Sequence, residues 1–114
     1  MSAPCLFCRI VAGEVPASVV DKTEETLAFR DIAPVSPTHI LVVPKQHFAT
    51  LDEAVARDPR LVGALMAQCS RIAQAEGLAA GYRVVINTGQ LGGQMVHHLH
   101  VHVLGGRAHS WPPG

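Results

Sequence analysis

Aromatic residues are scarce in this chain: one Trp, one Tyr and three Phe among 114 residues. So few flat rings do not furnish a stacking platform for single-stranded nucleic acid. Charge is limited too, with nine Lys+Arg against nine Asp+Glu and no net charge. Without a basic patch or tail to follow a phosphate backbone, nucleic acid is not expected as a partner. No apolar run approaches about 18 residues, and no charged-then-apolar leader opens the chain, so a cytoplasmic protein with no membrane partner is expected. Three cysteines, Cys5, Cys8 and Cys69, do not make a disulfide framework. Repeats and low-complexity segments are missing. The length fits a single domain over residues 1–114, large enough for a core without staples.

Histidine is what the chain has in plenty, with seven. The run His97-His98-Leu99-His100-Val101-His102-Val103-Leu104 alternates imidazoles with apolar residues. In a β-strand alternate side chains share a face. His98, His100 and His102 are therefore expected to project together, while Leu99, Val101 and Val103 enter a core. The run is internal and patterned, unlike a purification tag. Residues two apart on a strand are roughly 6.5 Å apart, which puts His98 and His102 roughly 13 Å apart. Zinc–nitrogen bonds are only about 2 Å long, so one metal ion cannot take all three on a regular strand. The row is expected to divide its labour, with one end structural and the middle and far end catalytic.

The rest of the chain supplies a frame. Pro4 to Ala12 reads as a short helix stopped by Gly13. Val19 to Asp21 and Thr26 to Arg30 read as strands with a turn at Glu24-Glu25. His39 to Val43, between Pro37 and Pro44, reads as a buried strand. A long helix follows, with Asp58 as N-cap and Pro59 at the first helical position. Its apolar face is Leu61, Val62, Leu65, Met66, Cys69, Ile72 and Ala73, and Gly77 ends it. Tyr82 to Asn87 is a fourth strand, and the histidine run is the fifth. Strands in runs with one long helix indicate an α+β fold, its sheet covered on one face.

Two further segments suggest chemistry. Cys5 and Cys8 are three residues apart, so both thiols fall on one helical face. A closed zinc site needs two more ligands, for which the seven histidines are candidates; two unliganded cysteines are the plain alternative. The loop Thr88-Gly89-Gln90-Leu91-Gly92-Gly93-Gln94 can bring backbone N–H groups close to an anion, or can simply be a turn. Asn87 and Gln94 flank it. No carboxylate cluster is evident for magnesium beside the histidines.

With these residues in view, the chain resembles the histidine triad superfamily, in its nucleotide-binding-protein branch. The signature His-φ-His-φ-His-φ-φ, with φ apolar, is matched by His98 to Leu104. Ordered matches extend over most of the chain, including Phe29-Arg30-Asp31-Ile32, Pro37-Thr38-His39, Pro44-Lys45-Gln46-His47, Gly92-Gly93-Gln94 and Trp111-Pro112-Pro113-Gly114. The resemblance implies a five-stranded antiparallel sheet with one long helix and a short N-terminal one. It also implies a homodimer whose sheets join into ten strands. Hydrolysis of purine nucleoside phosphoramidates or related nucleotidyl compounds is the implied activity, with His100 as nucleophile. His102, Gln94, Gly93, Met95 and nearby backbone N–H groups would hold the phosphate. Asp31 would accept from the ribose hydroxyls, Asn87 would position the sugar-phosphate, and Leu6, Phe7, Ile10, Phe29 and Ile32 would form the base slot. Zinc would be held by Cys5, Cys8, His47 and His98, and the tail with Trp111 would complete the site. Met95 stands where several relatives carry a serine, so a hydroxyl for the leaving group is lost. The alternatives are a dinucleoside polyphosphate hydrolase or nucleotidyl transferase of the same superfamily, and a zinc-stabilised scaffold with little catalysis.

Overall fold

The computed structural model describes residues 5–114. Pro4, where the first helix was expected to start, lies outside the described residues. Helix α1 runs Leu6–Val11 and is capped by Cys5, whose sulfur accepts from the Cys8 N–H. Strands β1 (Val19–Lys22), β2 (Thr26–Arg30) and β3 (Thr38–Pro44) follow, then helices α2 (Leu51–Arg57) and α3 (Pro59–Ala75), then β4 (Arg83–Val85) and β5 (Val101–Gly105). The five strands form one antiparallel sheet in the order β1-β2-β3-β5-β4. No helix among the described residues is long and apolar enough to cross a membrane.

The central strand, β3, is the most apolar, because both of its faces are covered. Ile40 and Val42 join Ala28, Leu99, Val101 and Val103 under the apolar stripe of α3, where Leu61, Leu65, Cys69, Ile72 and Ala73 are buried. Leu41 and Val43 face the other way, with Leu27, Phe29 and Phe7 of α1. The sheet is thus not covered on one face only. Its second face carries a smaller cluster under the single turn and a half of α1, and the histidines lie beside that cluster.

Several boundaries differ from the sequence expectation. Helix α2 was not foreseen, although its signal is present. Thr50 accepts from the Glu53 N–H at 3.2 Å, and Glu53 reaches back to the Ala49 N–H at 3.2 Å. This is a capping-box arrangement, displaced by one residue on the return bond. Asp58 sits at the start of α3 but its side chain makes no capping bond. It ends α2, with its N–H on Ala54 O, and meets Arg60 instead. Strand β4 is only three residues long, leaving Tyr82, Ile86 and Asn87 outside it. Strand β5 begins at Val101, so of the triad only His102 lies in regular strand. The inward alternation still holds, since Leu99, Val101 and Val103 are all fully buried. His98 leaves the regular strand because its ring is tied to groups on two other segments, described next.

Candidate functional site

Two separate histidine arrangements occupy the sheet face beside α1. In the first, the His98 Nε2–H donates to the Pro44 carbonyl at 2.8 Å. A carbonyl only accepts, so the proton is on Nε2 and the Nδ1 lone pair is free. That Nδ1 lies 3.3 Å from the Cys5 sulfur, 3.5 Å from the Cys8 sulfur and 3.1 Å from His47 Nδ1. Cys8 Sγ and His47 Nδ1 are 3.4 Å apart. Zinc bonds of about 2.3 Å to sulfur and about 2.0–2.1 Å to nitrogen give tetrahedral edges of about 3.5 Å between S and N and about 3.3 Å between two nitrogens. The four donors therefore already stand close to a tetrahedral zinc spacing, and all lie within 4.8 Å of one another. The carbonyl that accepts from His98's other nitrogen is the usual outer partner of a metal-bound imidazole. Cys5, Cys8, His47 and His98 form a Zn2+ site. Without a cation, burial and the adjacent Cys5 push the Cys8 thiol up to about 11, whereas a bound metal holds it as thiolate.

In the second arrangement, the His100 Nδ1–H donates to the His98 carbonyl at 2.7 Å. The same tautomer argument leaves a lone pair on His100 Nε2, which has no protein partner among the described residues. Phe7 packs edge-on against both rings, 5.1 Å from His100 and 5.9 Å from His98 between centroids. The His102 ring lies 5.0 Å from that of His100. His102 Nδ1 is 2.9 Å from His39 Nε2, while His102 Nε2 is buried without a partner. The register explains the pair: Leu41 faces His102 and His39 faces Leu104, which makes His39 the diagonal neighbour of His102 on one face. Sequence reading placed His39 at the start of the third strand, in the Pro37-Thr38-His39 match and among seven candidate ligands, and gave it no part beside His102. The signal for it was its two-residue offset from Leu41, whose face is set only once strands pair.

The nucleotide-slot residues are distributed unevenly. Phe7 and Phe29 are buried against each other, 5.5 Å between centroids, and Ile10 packs on the same cluster. Leu6 and Ile32 are exposed, Ile32 at 98%. Asp31 is partly buried; its Oδ1 accepts from the Ala33 N–H and its Oδ2 is 3.5 Å from His39 Nε2. Asn87 is half-buried and makes no side-chain hydrogen bond among the described residues. Met95 is 88% exposed.

The glycine-rich loop is a closed turn and not an anion cradle. Gly93 N–H donates to Gln90 O and Gln94 N–H to Gly89 O. A Cβ on Gly92 would collide with the Thr88 carbonyl oxygen, so the turn needs glycine there. The Gln94 side chain departs from its expected role as a free phosphate donor. Its amide N–H groups are spent on the Ala49 and Val96 carbonyls, at 2.7 and 3.0 Å, and its oxygen accepts from the Gly89 N–H. With every donor used, Gln94 pins the loop to the start of α2 and leaves phosphate contacts to other groups.

The profile described as "HIT domain" matches residues 12–109. The chain belongs to the HIT domain family. Over all 114 residues, and all of the relative, it is 53% identical to an uncharacterized HIT-like protein of Synechococcus elongatus. It is 47% identical to the 14 kDa zinc-binding protein of Zea mays, covering 98% of this chain and 89% of that one. Its fold superposes on the crystal structure of a HIT family hydrolase from Legionella pneumophila with a TM-score of 0.93 at 49% identity, covering 97% of this chain and all of that one. The HIT fold thus places three triad histidines, a fourth histidine and a zinc site on one sheet face.

Burial gives this HIT site a pH signature. His102 is pushed down to about 4 by burial and by the His100 and His39 rings, against a weaker opposite pull from Asp31. His39 is also lowered, by burial. Both fold best when neutral. Between pH 6.5 and about 4 the unfolded chain therefore takes up protons that folded His102 does not. Stability from this group is complete above pH 6.5 and falls as pH drops toward 4. Allowing for solvent screening at a partly exposed ring, the loss is roughly 1–2 kcal/mol. Thermal midpoints measured from pH 7 to 4 should fall more steeply for the wild type than for His102→Gln, in which this titration is absent; parallel curves would contradict the assignment.

Proposed function

We propose that this HIT protein is a nucleotide-binding hydrolase that cleaves purine nucleoside 5′-phosphoramidates through a covalent nucleotidyl-histidine on His100. The observation that carries this reading is the 2.7 Å hydrogen bond from His100 Nδ1–H to the His98 carbonyl. It fixes the tautomer in which Nε2 offers its lone pair, as a nucleophile at phosphorus requires. The Nε2–phosphorus bond forms as the phosphorus–nitrogen bond to the amine breaks, and the amine leaves with a proton from solvent. Water then breaks the phosphorus–imidazole bond and releases the nucleoside monophosphate. His102, whose ring lies 5.0 Å from that of His100, and the Met95 backbone N–H hold the nonbridging oxygens. Asp31 keeps Oδ2 for the ribose hydroxyls, and Asn87 has a free amide for the sugar-phosphate. Leu6 and Ile32 supply exposed apolar surface for the base, above a floor of Phe7, Ile10 and Phe29. The zinc site is structural: through His98 it holds the carbonyl that orients His100. Assaying adenosine phosphoramidate against diadenosine tetraphosphate tests the reading. Turnover of the first well above the second supports it, and the reverse order favours a dinucleoside polyphosphate hydrolase.

The same reading makes the active unit a homodimer with a ten-stranded sheet. The β4 edge supports this: Val84 and Tyr82 are exposed there, beside a cavity of about 670 Å³ bordered also by Arg83, Arg107 and His109. Arg83 donates to the Ser110 carbonyl at 2.8 Å, so the tail starts along that edge. Trp111 stands 84% exposed just beyond, unpacked on its own subunit. A partner paired at β4 would receive it. Deleting residues 110–114 is expected to change the preference among amine leaving groups several-fold, while the thermal midpoint moves little. An unchanged substrate profile, or a monomer at micromolar concentration, would remove the shared site.

A further inference from the structure

The three cysteines have different surroundings. Cys69 is 2% exposed in the core under α3, and burial pushes its thiol up to about 11. A buried, protonated thiol is inert. Cys5 and Cys8 are half-buried, and both belong to the zinc site. That site is open on one side. Of its two imidazoles, His98 is buried and His47 is exposed. Cys8 Sγ lies 3.4 Å from the exposed ring, and Cys5 Sγ lies 3.3 Å from the buried one. Solvent therefore meets the site along the Cys8–His47 edge. The two sulfurs, within 4.8 Å of each other, also belong to one helical turn. Cys5 caps α1, its carbonyl accepts from the Arg9 N–H at 3.0 Å, and its sulfur accepts from the Cys8 N–H at 3.4 Å. Cα atoms three residues apart in a helix are about 5 Å apart, inside the ~4.4–6.8 Å that a disulfide spans. The sulfurs can thus join each other with α1 intact. The zinc, by contrast, joins α1 to two distant segments, at His47 and His98.

We propose that Cys5 and Cys8 are a thiol oxidation site, at which a hydroperoxide converts the pair to a disulfide, expels the zinc and uncouples α1 from the sheet. The Cys8 thiolate, on the open edge, attacks one peroxide oxygen. The O–O bond breaks, Cys8 becomes a sulfenic acid, and the other oxygen takes a proton and leaves as water. The Cys5 thiolate then attacks the Cys8 sulfur. The S–S bond forms, the S–O bond breaks, and that oxygen takes a second proton and leaves as a second water. Two electrons pass from the sulfurs to the peroxide, and the zinc keeps its charge. Without the thiolates only two imidazoles remain, and a structural zinc site needs four ligands. The His98 Nε2–H stays on Pro44 O, but its Nδ1 no longer holds α1. Phe7, between the two cysteines in sequence, packs edge-on against His98 and His100. Loss of the metal therefore reaches the triad through Phe7. The effect on turnover rests on the proposed function; the disulfide and the release of zinc do not.

The test treats the zinc-loaded full chain with hydrogen peroxide near pH 7 and follows it with a zinc-binding dye and by intact mass. One zinc ion should appear in solution for each peroxide consumed, leaving a protein two hydrogen masses lighter. Peptide mapping should link Cys5 to Cys8 and find Cys69 as a free thiol. The thermal midpoint should fall by about 10 °C, and kcat by about tenfold or more as Phe7 leaves the His100 ring. A dithiol with added zinc should reverse all four changes. Cys8→His keeps a fourth zinc ligand and removes the disulfide, so its zinc should stay bound under the same peroxide. Cys69→Ala should release zinc at the wild-type rate; should Cys8→His not take up metal, this variant and the wild-type peptide map decide the matter. Zinc retained by the peroxide-treated wild type overturns the proposal. So does zinc loss with Cys8 carried to the sulfinic acid and no Cys5–Cys8 link, a disulfide to Cys69 or between chains, a Cys69→Ala that keeps its zinc, or a zinc-loaded Cys8→His that loses it at the wild-type rate. Absence of phosphoramidate turnover in the reduced wild type would sink the proposed function, while the zinc and mass readings would still decide this proposal.

Discussion

Replacing His100 by alanine is expected to lower phosphoramidate turnover by about three orders of magnitude or more, because no other group on this face offers an equivalent nucleophile. His98 has its Nδ1 turned to the thiols and its Nε2–H on Pro44 O. His102 has its Nδ1 on His39. Neither has a lone pair to spare for phosphorus. Binding of a nucleoside monophosphate should survive, since the apolar floor and Asp31 do not depend on the His100 ring. A mass spectrum of briefly incubated wild-type protein should show one nucleotidyl adduct per chain, absent from His100→Ala. Turnover of the alanine variant near the wild-type rate would remove the nucleophile from this position.

The second large effect concerns zinc. Protein prepared without chelator should contain about one zinc ion per chain, and Cys5→Ser with Cys8→Ser should contain none. Helix α1 has six residues, far too few to persist alone in water. It is held by Phe7 in the second core cluster and by the ligands at its start. Structural zinc sites contribute about 10–16 kcal/mol of apparent binding energy in small peptides. This chain has its own core under α3, so a smaller loss, on the order of several kcal/mol, is expected. That corresponds to a fall in thermal midpoint of about 10 °C or more. Releasing α1 also takes the Phe7 ring from His100, so kcat should fall with the metal. A chelator that strips the metal and leaves the midpoint unchanged would show that these four side chains do not brace the fold.

Much of this was readable from residue order. The period of two in His98 to Val103 separated the imidazole face from the core face, and Leu99, Val101 and Val103 are buried as that period requires. The α3 stripe followed from 3.6-residue periodicity with Pro59 at the start and Gly77 at the end. These are local patterns in which each residue's neighbours along the chain already fix its face. Helix α2 was legible too, in Thr50-x-x-Glu53, but the flanking apolar signal is weak because only Ala54 in it is buried. The zinc set was reached by resemblance, since the Cys5–Cys8 pair, His47 and His98 come from three segments whose meeting no spacing rule predicts.

What the sequence by itself determined is every element but α2, the buried faces of α3 and of the histidine run, and the kinds of side chain available for chemistry. Tertiary structure decided which of those side chains do what. Whether an imidazole ligates, attacks or donates depends on which nitrogen holds the proton, and that is set by backbone groups far away in the chain. Pro44 O assigns His98 to the metal. The same contacts consume the Gln94 amide that sequence reading had offered to phosphate. Hydrogen-bonding capacity is finite, and only the folded chain shows where it has been spent.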